Sequence, residues 1–348
     1  MNKVIVITGP TAVGKTKLSI EIAKKYNGEI INCDAVQVYK GLDIGSAKVT
    51  KKEKENVPHH LFDIKEVDEE YTIYHYQKDC RELIEDIQNR GKTPILVGGT
   101  GLYIKSALYD YKLSEETNSD TYDNLSNEEI YNELIKVDKD IIIDKDNRRR
   151  LIRALNYYKE NNESINNNKT DKLLYDTLFI GLTTDRGTLY EKINKRVDIM
   201  VKEGLLEEIK PYYDKNIRTK PLLNAIGYRE IYEYFDGEYT LEEAIDKIKQ
   251  NSRHYAKRQY TFFNHQLPVV WFETDYDNFN NTIKKVSDYI SYLNVIVSSL
   301  VSISITFPSS YSADTVSRGI PSPPYLAISF SFGRAIITAL LDSESLGL

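Results

Sequence analysis

The residues with the clearest chemistry form one short turn near the start of the chain. Residues 9–16 read Gly-Pro-Thr-Ala-Val-Gly-Lys-Thr and fit the pattern G-x-x-x-x-G-K-[ST]. The backbone N–H groups of such a turn point at phosphate oxygens, and the helix that follows adds the positive end of its dipole. The Lys15 amine would hold the phosphates, and the Thr16 hydroxyl would ligate Mg²⁺. We therefore predict that a di- or triphosphate is bound by Gly9, Pro10, Thr11, Ala12, Val13, Gly14, Lys15 and Thr16.

Two more polar side chains follow segments that are typical of buried strands. Asp34 comes after residues 28–32, and Thr100 comes after residues 93–97. An ATPase or GTPase usually carries a metal-holding acid at the end of such a strand, whereas the second segment ends in Gly-Gly-Thr. This difference counts against hydrolysis and leaves Asp34 as the carboxylate that could accept a proton from a nucleophile. A simple cap on the next turn is the alternative role for Asp34.

Strands and helices alternate along the first third of the chain. The predicted strands cover 4–7, 28–32 and 93–97, and the predicted helices cover 15–25 and 74–89. This alternation predicts an α/β fold in which helices flank a parallel, doubly wound sheet. With the turn at residues 9–16 (the P-loop), the fold is of the P-loop NTPase type. Ligands bind at the carboxyl ends of such strands, so Thr16, Asp34 and Thr100 should converge on one crevice.

The rest of the chain is predicted to be mainly helical. The predicted helices span 146–161, 189–212, 223–235 and 241–265, the strands span 178–182 and 269–272, and an asparagine-rich loop spans 161–172. We divide the chain into a first part of the P-loop core, a small helical insertion, a core continuation with C-terminal helices, and an atypical tail. These divisions are residues 1–109, 110–145, 146–290 and 291–348.

The tail differs in composition from the body of the chain. It is serine-rich, and it has no lysine after residue 293. We interpret it either as a disordered appendage or as a sequence foreign to the fold. Its longest apolar stretch is interrupted by serines and too short to span a bilayer, so we expect no membrane association. Two cysteines and no signal peptide before the P-loop strand favour a cytoplasmic protein.

The net charge of −6 argues weakly against nucleic acid as a partner, although binding depends on local patches. Three basic clusters are present. They comprise Arg148, Arg149, Arg150 and Arg153; Lys192, Lys195 and Arg196; and Arg253, His254, Lys257 and Arg258. Composition alone leaves two interpretations open, which are RNA-binding patches and ordinary solvated helix faces.

Six segments resemble, in chain order, the motifs of the tRNA dimethylallyltransferase (isopentenyltransferase) family. The longest reads Asp-Ala-Val-Gln-Val-Tyr-Lys-Gly-Leu-Asp-Ile-Gly-Ser-Ala-Lys, beginning at Asp34. The others are Val57-Pro58-His59-His60-Leu61-Phe62-Asp63, Gly98-Gly99-Thr100-Gly101-Leu102-Tyr103, the segment 189–205, Ala225-Ile226-Gly227-Tyr228-Arg229 and Ala256-Lys257-Arg258-Gln259. The resemblance covers residues 1 to about 275.

The resemblance implies a tRNA-modifying prenyltransferase. Such an enzyme moves a dimethylallyl group from dimethylallyl diphosphate to the exocyclic amine of the adenosine 3′ of the anticodon and releases diphosphate. It implies that Asp34 and Thr100 are catalytic, that Arg196 joins the P-loop in binding diphosphate, and that Thr16 ligates the Mg²⁺ cofactor. The implied tRNA-binding residues are Asp34, Ala35, Val36, Gln37, Thr100, Arg149, Arg153, Arg253, Lys257 and Arg258. The implied partners are the tRNA anticodon stem-loop and dimethylallyl diphosphate, and we expect a monomer.

The sequence also departs from the family pattern and leaves alternatives open. Ala35 replaces a serine that is usual after the aspartate, and the insertion is shorter than in many relatives. A small-molecule kinase that uses ATP is the leading alternative enzyme, and a nucleotide-dependent RNA-binding protein without catalysis is an alternative of another class. Adjacent histidines, His59 and His60, should point to opposite faces of an extended segment, so we predict no zinc site there.

Overall fold

A six-stranded parallel sheet organises the chain. In this computed structural model, which describes residues 3–111, 113 and 122–304, the sheet has the strand order β3-β2-β4-β1-β7-β8. A separate pair of antiparallel strands is formed by β5 and β6. The strands are β1 (Val4–Thr8), β2 (Gly28–Asn32), β3 (His59–His60), β4 (Thr93–Val97), β5 (Tyr109–Tyr111), β6 (Lys169–Leu173), β7 (Thr177–Thr183) and β8 (Val270–Glu273).

Side chains that alternate along each strand build two cores, one on each face of the sheet. Val4 and Val6 belong to one core, while Ile5 and Ile7 belong to the other. Because successive side chains of a strand point to opposite faces, both faces of β1 can be apolar only if helices cover both. All five residues of β1 are buried. The predicted α/β fold with a parallel sheet between helices is therefore confirmed.

Eleven α-helices are present in the described residues. They are α1 (Lys15–Lys25), α2 (Ile73–Asn89), α3 (Gly101–Leu108), α4 (Asn127–Val137), α5 (Arg148–Asn161), α6 (Arg186–Lys202), α7 (Leu205–Asp214), α8 (Lys220–Asn224), α9 (Tyr228–Phe235), α10 (Leu241–Gln266) and α11 (Phe279–Ser304). The predicted bounds of α1, β2 and β4 are those of the structure.

Two segments that were predicted as single helices are each broken by a glycine. Gly204 has φ +103° and separates α6 from α7. Gly227 has φ +96° and precedes α9, so that the predicted helix 223–235 is two helices. Glycine adopts such positive φ angles without the clash that a Cβ atom causes. The apolar spacing continues through both breaks, which is why periodicity alone missed them.

The helical insertion is larger than predicted. Helices α4 and α5 share a small core that includes Ile130, Leu134 and Leu151. Residues 146–161, predicted to continue the main core, thus pack with the insertion. The predicted loop 161–172 is also wrong in part, because β6 pairs there with β5 and a short 3₁₀ helix precedes it. Residues 114–121 of the insertion lie outside the described residues.

The end of the chain is described only in part. The chain forms two units, Met1–Ser291 and Tyr292–Leu348. Residues 291–304 belong to helix α11, which differs from the interpretation of this segment as disordered. The rest of the predicted tail, 305–348, lies outside the described residues. Within the described residues, no helix has both the length and the apolar character that crossing a bilayer requires.

A buried carboxylate fixes the amino end of β2. Glu29 is buried, and its two oxygens contact Arg90 at 2.5 and 2.8 Å, Lys92 at 2.6 Å and His60 at 2.7 Å. The hydrogen bonds from Arg90, followed by those from Lys92 and His60, lower the pKa of Glu29 far below its ordinary value. These contacts connect β2 to β3 and to the end of α2.

We predict that Glu29→Gln lowers the free energy of unfolding by about 2 kcal/mol, because the partly exposed Arg90, Lys92 and His60 lose their charge-assisted hydrogen bonds to the buried carboxylate. The folded pKa is lowered, so the carboxylate's stabilisation is complete above its unfolded pKa of about 4.3 and is lost as the pH falls below that value. Denaturant unfolding at pH 7 and pH 3 measures both effects. Glu66→Gln, which breaks an exposed pair with Lys40, should cost less than about 1 kcal/mol.

Candidate active site

The loops that follow β1, β4 and β2 meet at one edge of the sheet, because these three strands are neighbours and parallel. The Thr8 hydroxyl donates to the Gly98 carbonyl at 3.0 Å, and the Thr100 N–H donates to the Cys33 carbonyl at 3.0 Å. A Cβ atom at Gly98 would lie 2.3 Å from the Cys33 carbonyl oxygen. Only glycine permits this approach, which brings the Thr100 loop against the Asp34 loop.

The P-loop has the backbone that its sequence predicts. Gly9 has φ +135°, and a Cβ there would lie 2.4 Å from the Leu182 carbonyl oxygen of β7. Gly14 has φ +92° and directly precedes α1, whose first residue is Lys15. The Lys15 amine donates to the Pro10 carbonyl at 2.6 Å, so it folds back over the loop. The exposed Thr16 side chain lies in the first turn of α1.

Two residues that the sequence reasoning missed support the P-loop from outside. The Thr274 hydroxyl donates to the Val13 carbonyl at 3.0 Å, and the Tyr276 hydroxyl donates to the Ala12 carbonyl at 3.2 Å. Lys192 lies 4.5 Å from the centre of the Tyr276 ring. Both supporting residues follow β8, and no motif singles them out.

Lys15, Asp34 and Arg196 share one electrostatic environment. Burial, and then repulsion from Arg196, lowers the pKa of Lys15 to about 7, while Asp34 opposes the shift. Burial raises the pKa of Asp34, against the backbone N–H groups of the following turn and the charges of Lys15 and Arg196. Burial also lowers the pKa of Arg196, which Asp34 opposes. These mutual effects place Lys15 and Arg196, which were predicted to bind diphosphate, near Asp34, which was predicted to be catalytic.

The turn that follows Asp34 holds both the Asp34 carboxylate and the Thr100 hydroxyl by backbone hydrogen bonds. The Asp34 carboxylate accepts the Val36 N–H at 2.9 Å, and the Thr100 hydroxyl oxygen accepts the Ala35 N–H at 3.3 Å. Asp34 therefore does cap the turn that follows it. A carboxylate has about four acceptor sites, so this contact fixes its orientation without using its capacity to accept a proton.

Helix α10 contributes two further residues to the crevice. The Gln259 amide donates to the Gly99 carbonyl at 3.0 Å, next to Thr100. Tyr255, one turn earlier on the same face of α10, lies near Thr100, and burial together with the Asp34 charge raises its pKa to about 12. Gln259 belongs to a segment that resembles a family motif, and its i, i+4 spacing from Tyr255 is the signal that could have assigned both residues to the crevice.

The predicted base-contacting segment 34–37 lies at the same edge. Ala35 and Val36 are half-buried against the core on one face of the sheet. The Gln37 amide nitrogen donates to the carbonyls of Ser46 and Ala47 at 2.9 and 3.3 Å. Its orientation is therefore set by the loop that follows it.

The basic residues predicted to bind tRNA differ in their exposure and in their contacts within the protein. Arg149 and Arg153 are exposed on α5, and Lys257 and Arg258 are exposed on α10. Arg253 is half-buried and donates to the Asn194 side chain at 2.6 Å.

Arg148 belongs to the same predicted basic cluster as Arg149, but its side chain stabilises the helical insertion. It donates to the carbonyls of Leu125 and Tyr122, each at 2.6 Å. The predicted histidine pair is likewise engaged within the fold, because His59 contacts the Val57 carbonyl and His60 contacts Glu29.

The fold and the crevice define the class of this protein, an α/β protein whose P-loop lies beside a half-buried carboxylate. A family model described as IPP transferase matches residues 37–266. The tRNA dimethylallyltransferase of Anoxybacillus flavithermus is 49% identical over 299 residues, which cover 83% of this chain and 96% of that relative.

Two solved structures extend the comparison. The full-length tRNA isopentenylpyrophosphate transferase of Bacillus halodurans is 40% identical, with a TM-score of 0.68 and coverage of 87% of this chain and 100% of that one. A eukaryotic dimethylallyltransferase, solved acting on tRNA, is 32% identical, with a TM-score of 0.75 and coverage of 84% and 80%. The chain belongs to the IPP transferase family, which confirms the resemblance found in its sequence.

We predict that binding of pyrophosphate at pH 8 is coupled to uptake of a proton by Lys15. An amine with a pKa of about 7 is mostly neutral at this pH, and a bound anion raises that pKa. Calorimetry in two buffers of different ionisation enthalpy measures the uptake. Lys15→Arg, whose guanidinium stays charged, should take up about 0.9 proton less. Equal uptake by the two proteins would show that Lys15 is already charged.

Proposed function

We propose that this chain transfers a dimethylallyl group from dimethylallyl diphosphate to the exocyclic amine of the adenosine 3′ of the anticodon in tRNA, releasing diphosphate. The observation that carries the proposal is the meeting of the P-loop, Asp34 and Thr100 at one edge of the sheet, in a chain of the IPP transferase family. The named relatives are enzymes that act on tRNA. We expect a monomer that works in the cytoplasm.

The geometry suits a reaction with a weak nucleophile and an anionic leaving group. The adenine amine is a poor nucleophile because its lone pair is delocalised into the ring, so placing it in line with the allylic carbon is worth about 7 kcal/mol or more. The C–O bond of the donor breaks as the new C–N bond forms. Asp34, whose pKa is raised by burial, takes the proton that the amine loses.

The P-loop and its neighbours would stabilise the charge that develops on the leaving diphosphate. The backbone N–H groups at the start of α1, the Lys15 amine and the Arg196 guanidinium are pre-organised donors in a crevice that is partly shielded from water. Such donors act on charge that grows in the transition state. Thr100, whose hydroxyl oxygen accepts the Ala35 N–H, would contact the reacting amine.

The residues at the P-loop also fit Mg²⁺. Thr16 supplies a hard oxygen donor on an exposed side chain at the N-terminus of α1, and Mg²⁺ favours such oxygens together with phosphate oxygens and water. Thr16 would hold the ion against the diphosphate, where a bound Mg²⁺ neutralises negative charge.

The RNA would reach the crevice as an unpaired, extruded base. Sequence-specific recognition of RNA usually targets bases in loops, where extrusion costs less than in a duplex. The exposed arginines of α5 and the exposed Lys257 and Arg258 of α10 would contact the phosphates of the anticodon stem, which positions the RNA without reading its sequence.

A direct test separates this proposal from an ATP-dependent kinase. With unmodified tRNA and radiolabelled dimethylallyl diphosphate, we expect label to enter the tRNA and diphosphate to be released. With ATP radiolabelled in its γ-phosphate, we expect no label in the tRNA. Label transferred from ATP, with none from the prenyl donor, would favour the kinase and contradict the proposal.

Asp34→Asn tests the proton acceptor and separates catalysis from RNA binding. The amide keeps the shape of the side chain but cannot accept the proton, so the single-turnover rate should fall about 10²-fold or more. The affinity for the anticodon stem-loop, measured by filter binding, should stay within a few-fold of the wild type.

The matched control is Asp288→Asn, which removes an exposed carboxylate of α11 that pairs with Lys284 and should leave the rate unchanged. An unchanged rate in Asp34→Asn would exclude Asp34 as the base. A protein that binds tRNA but shows no transfer, even as the wild type, would instead support the non-catalytic alternative.

A further inference from the structure

The loop that follows Asp34 is anchored from a distance by one carboxylate. Glu208 of α7 accepts three successive backbone N–H groups, from Asp43 at 2.9 Å, Ile44 at 2.6 Å and Gly45 at 3.1 Å. The Tyr228 hydroxyl donates to the same carboxylate at 2.7 Å. Hydrogen bonds to an ionised acceptor are roughly twice as strong as those between neutral groups, so this anchor holds the backbone of the loop firmly.

Close packing at the anchor reinforces its geometry. A Cβ atom at Gly45 would lie 2.6 Å from the Tyr228 ring, and one at Gly41 would lie 2.4 Å from the Tyr212 hydroxyl. The loop therefore lies against α7 and α9 with no room for a side chain at these positions. The backbone of this loop is therefore positioned by α7 and α9. Neither helix carries Asp34 or Thr100, the predicted catalytic residues.

The anchored loop in turn orients Gln37. The carbonyls of Ser46 and Ala47 accept hydrogen bonds from the Gln37 amide nitrogen at 2.9 and 3.3 Å. The reversed amide would place its oxygen against two carbonyl oxygens, which repel it. With its nitrogen engaged, the side chain of Gln37 offers its oxygen, an acceptor, to anything bound beside it.

We propose that Glu208 is a positioning residue, which acts through residues 43–47 to make Gln37 present a hydrogen-bond acceptor to the target base. An acceptor matches the amine of adenine and not the 6-keto oxygen of another purine. The inference rests on the proposed function and on the family resemblance, which implies that Gln37 is one of the tRNA-binding residues. It assigns to α7 a part in base recognition, although Glu208 touches neither the base nor the donor.

A double-mutant cycle tests this inference. Glu208→Gln replaces one acceptor oxygen by an NH₂ group that faces N–H donors, so the loop should shift. We expect kcat/KM for an adenosine-containing anticodon stem-loop to fall about 10-fold. In a Gln37→Met background, which has no acceptor to misplace, the same change should cost at most about 2-fold. A Glu208→Gln effect of equal size in both backgrounds would overturn the inference, and so would no effect in either.

Two further variants and the activity of the wild type keep the outcomes distinct. Glu207→Gln changes the adjacent, exposed carboxylate of α7 and should leave kcat/KM unchanged. Tyr228→Phe removes one of the four donors to Glu208, and it should show a smaller effect with the same dependence on Gln37 even if Glu208→Gln does not fold. If the wild-type protein transfers no dimethylallyl group at all, the proposed function fails. If the wild type is active but the effects simply multiply, only the role of Glu208 fails.

Discussion

The site depends on one constraint, which is that β2, β4 and β1 are parallel neighbours and end at the same edge of the sheet. Each strand positions only the loop that follows it. The register between the strands brings these loops within hydrogen-bonding distance of one another. The bonds from Thr8 to the Gly98 carbonyl and from Thr100 to the Cys33 carbonyl show how tight this junction is. A shift of one residue in either pairing would turn the strand's alternating side chains to the wrong cores. The requirement for two apolar cores therefore also fixes the geometry of the crevice.

The crevice concentrates opposing charges where water is partly excluded. Lys15, Arg196 and Asp34 lie close enough to shift one another's pKa. In water such charges would be screened, but in a partly buried site each keeps its effect on the others. The charges of Lys15 and Arg196 affect both the binding of an anion and the pKa of Asp34. This shared dependence is a physical reason for the three residues to lie close together. Helices α10 and α7 act from outside, by holding the Gly99 carbonyl and the loop after Asp34.

The sequence predicts the centre of this molecule better than its periphery. The P-loop, the strands around it and the positions of Asp34 and Thr100 follow from local patterns, because a glycine-rich turn between a buried strand and an amphipathic helix has few alternatives. The breaks at Gly204 and Gly227 interrupt helices whose apolar spacing continues.

The remaining differences arise from contacts between distant parts of the chain. The packing of α5 against α4 and the pairing of β5 with β6 each join segments that are far apart in sequence or locally unpatterned. The contacts of Gln259 and Glu208 were missed for the same reason, since each acts on a backbone carbonyl or N–H group more than a hundred residues away. A local pattern can show which face of a helix such a side chain occupies, but it cannot show which distant backbone group that side chain reaches.

The most direct test of this account is the crystal structure of the full chain with an anticodon stem-loop and pyrophosphate. The account predicts an extruded adenine whose exocyclic nitrogen lies within about 3.2 Å of the Asp34 carboxylate, with the pyrophosphate against the backbone N–H groups that begin α1. An adenine that remains stacked in the RNA loop, or a pyrophosphate bound away from residues 9–16, would contradict it.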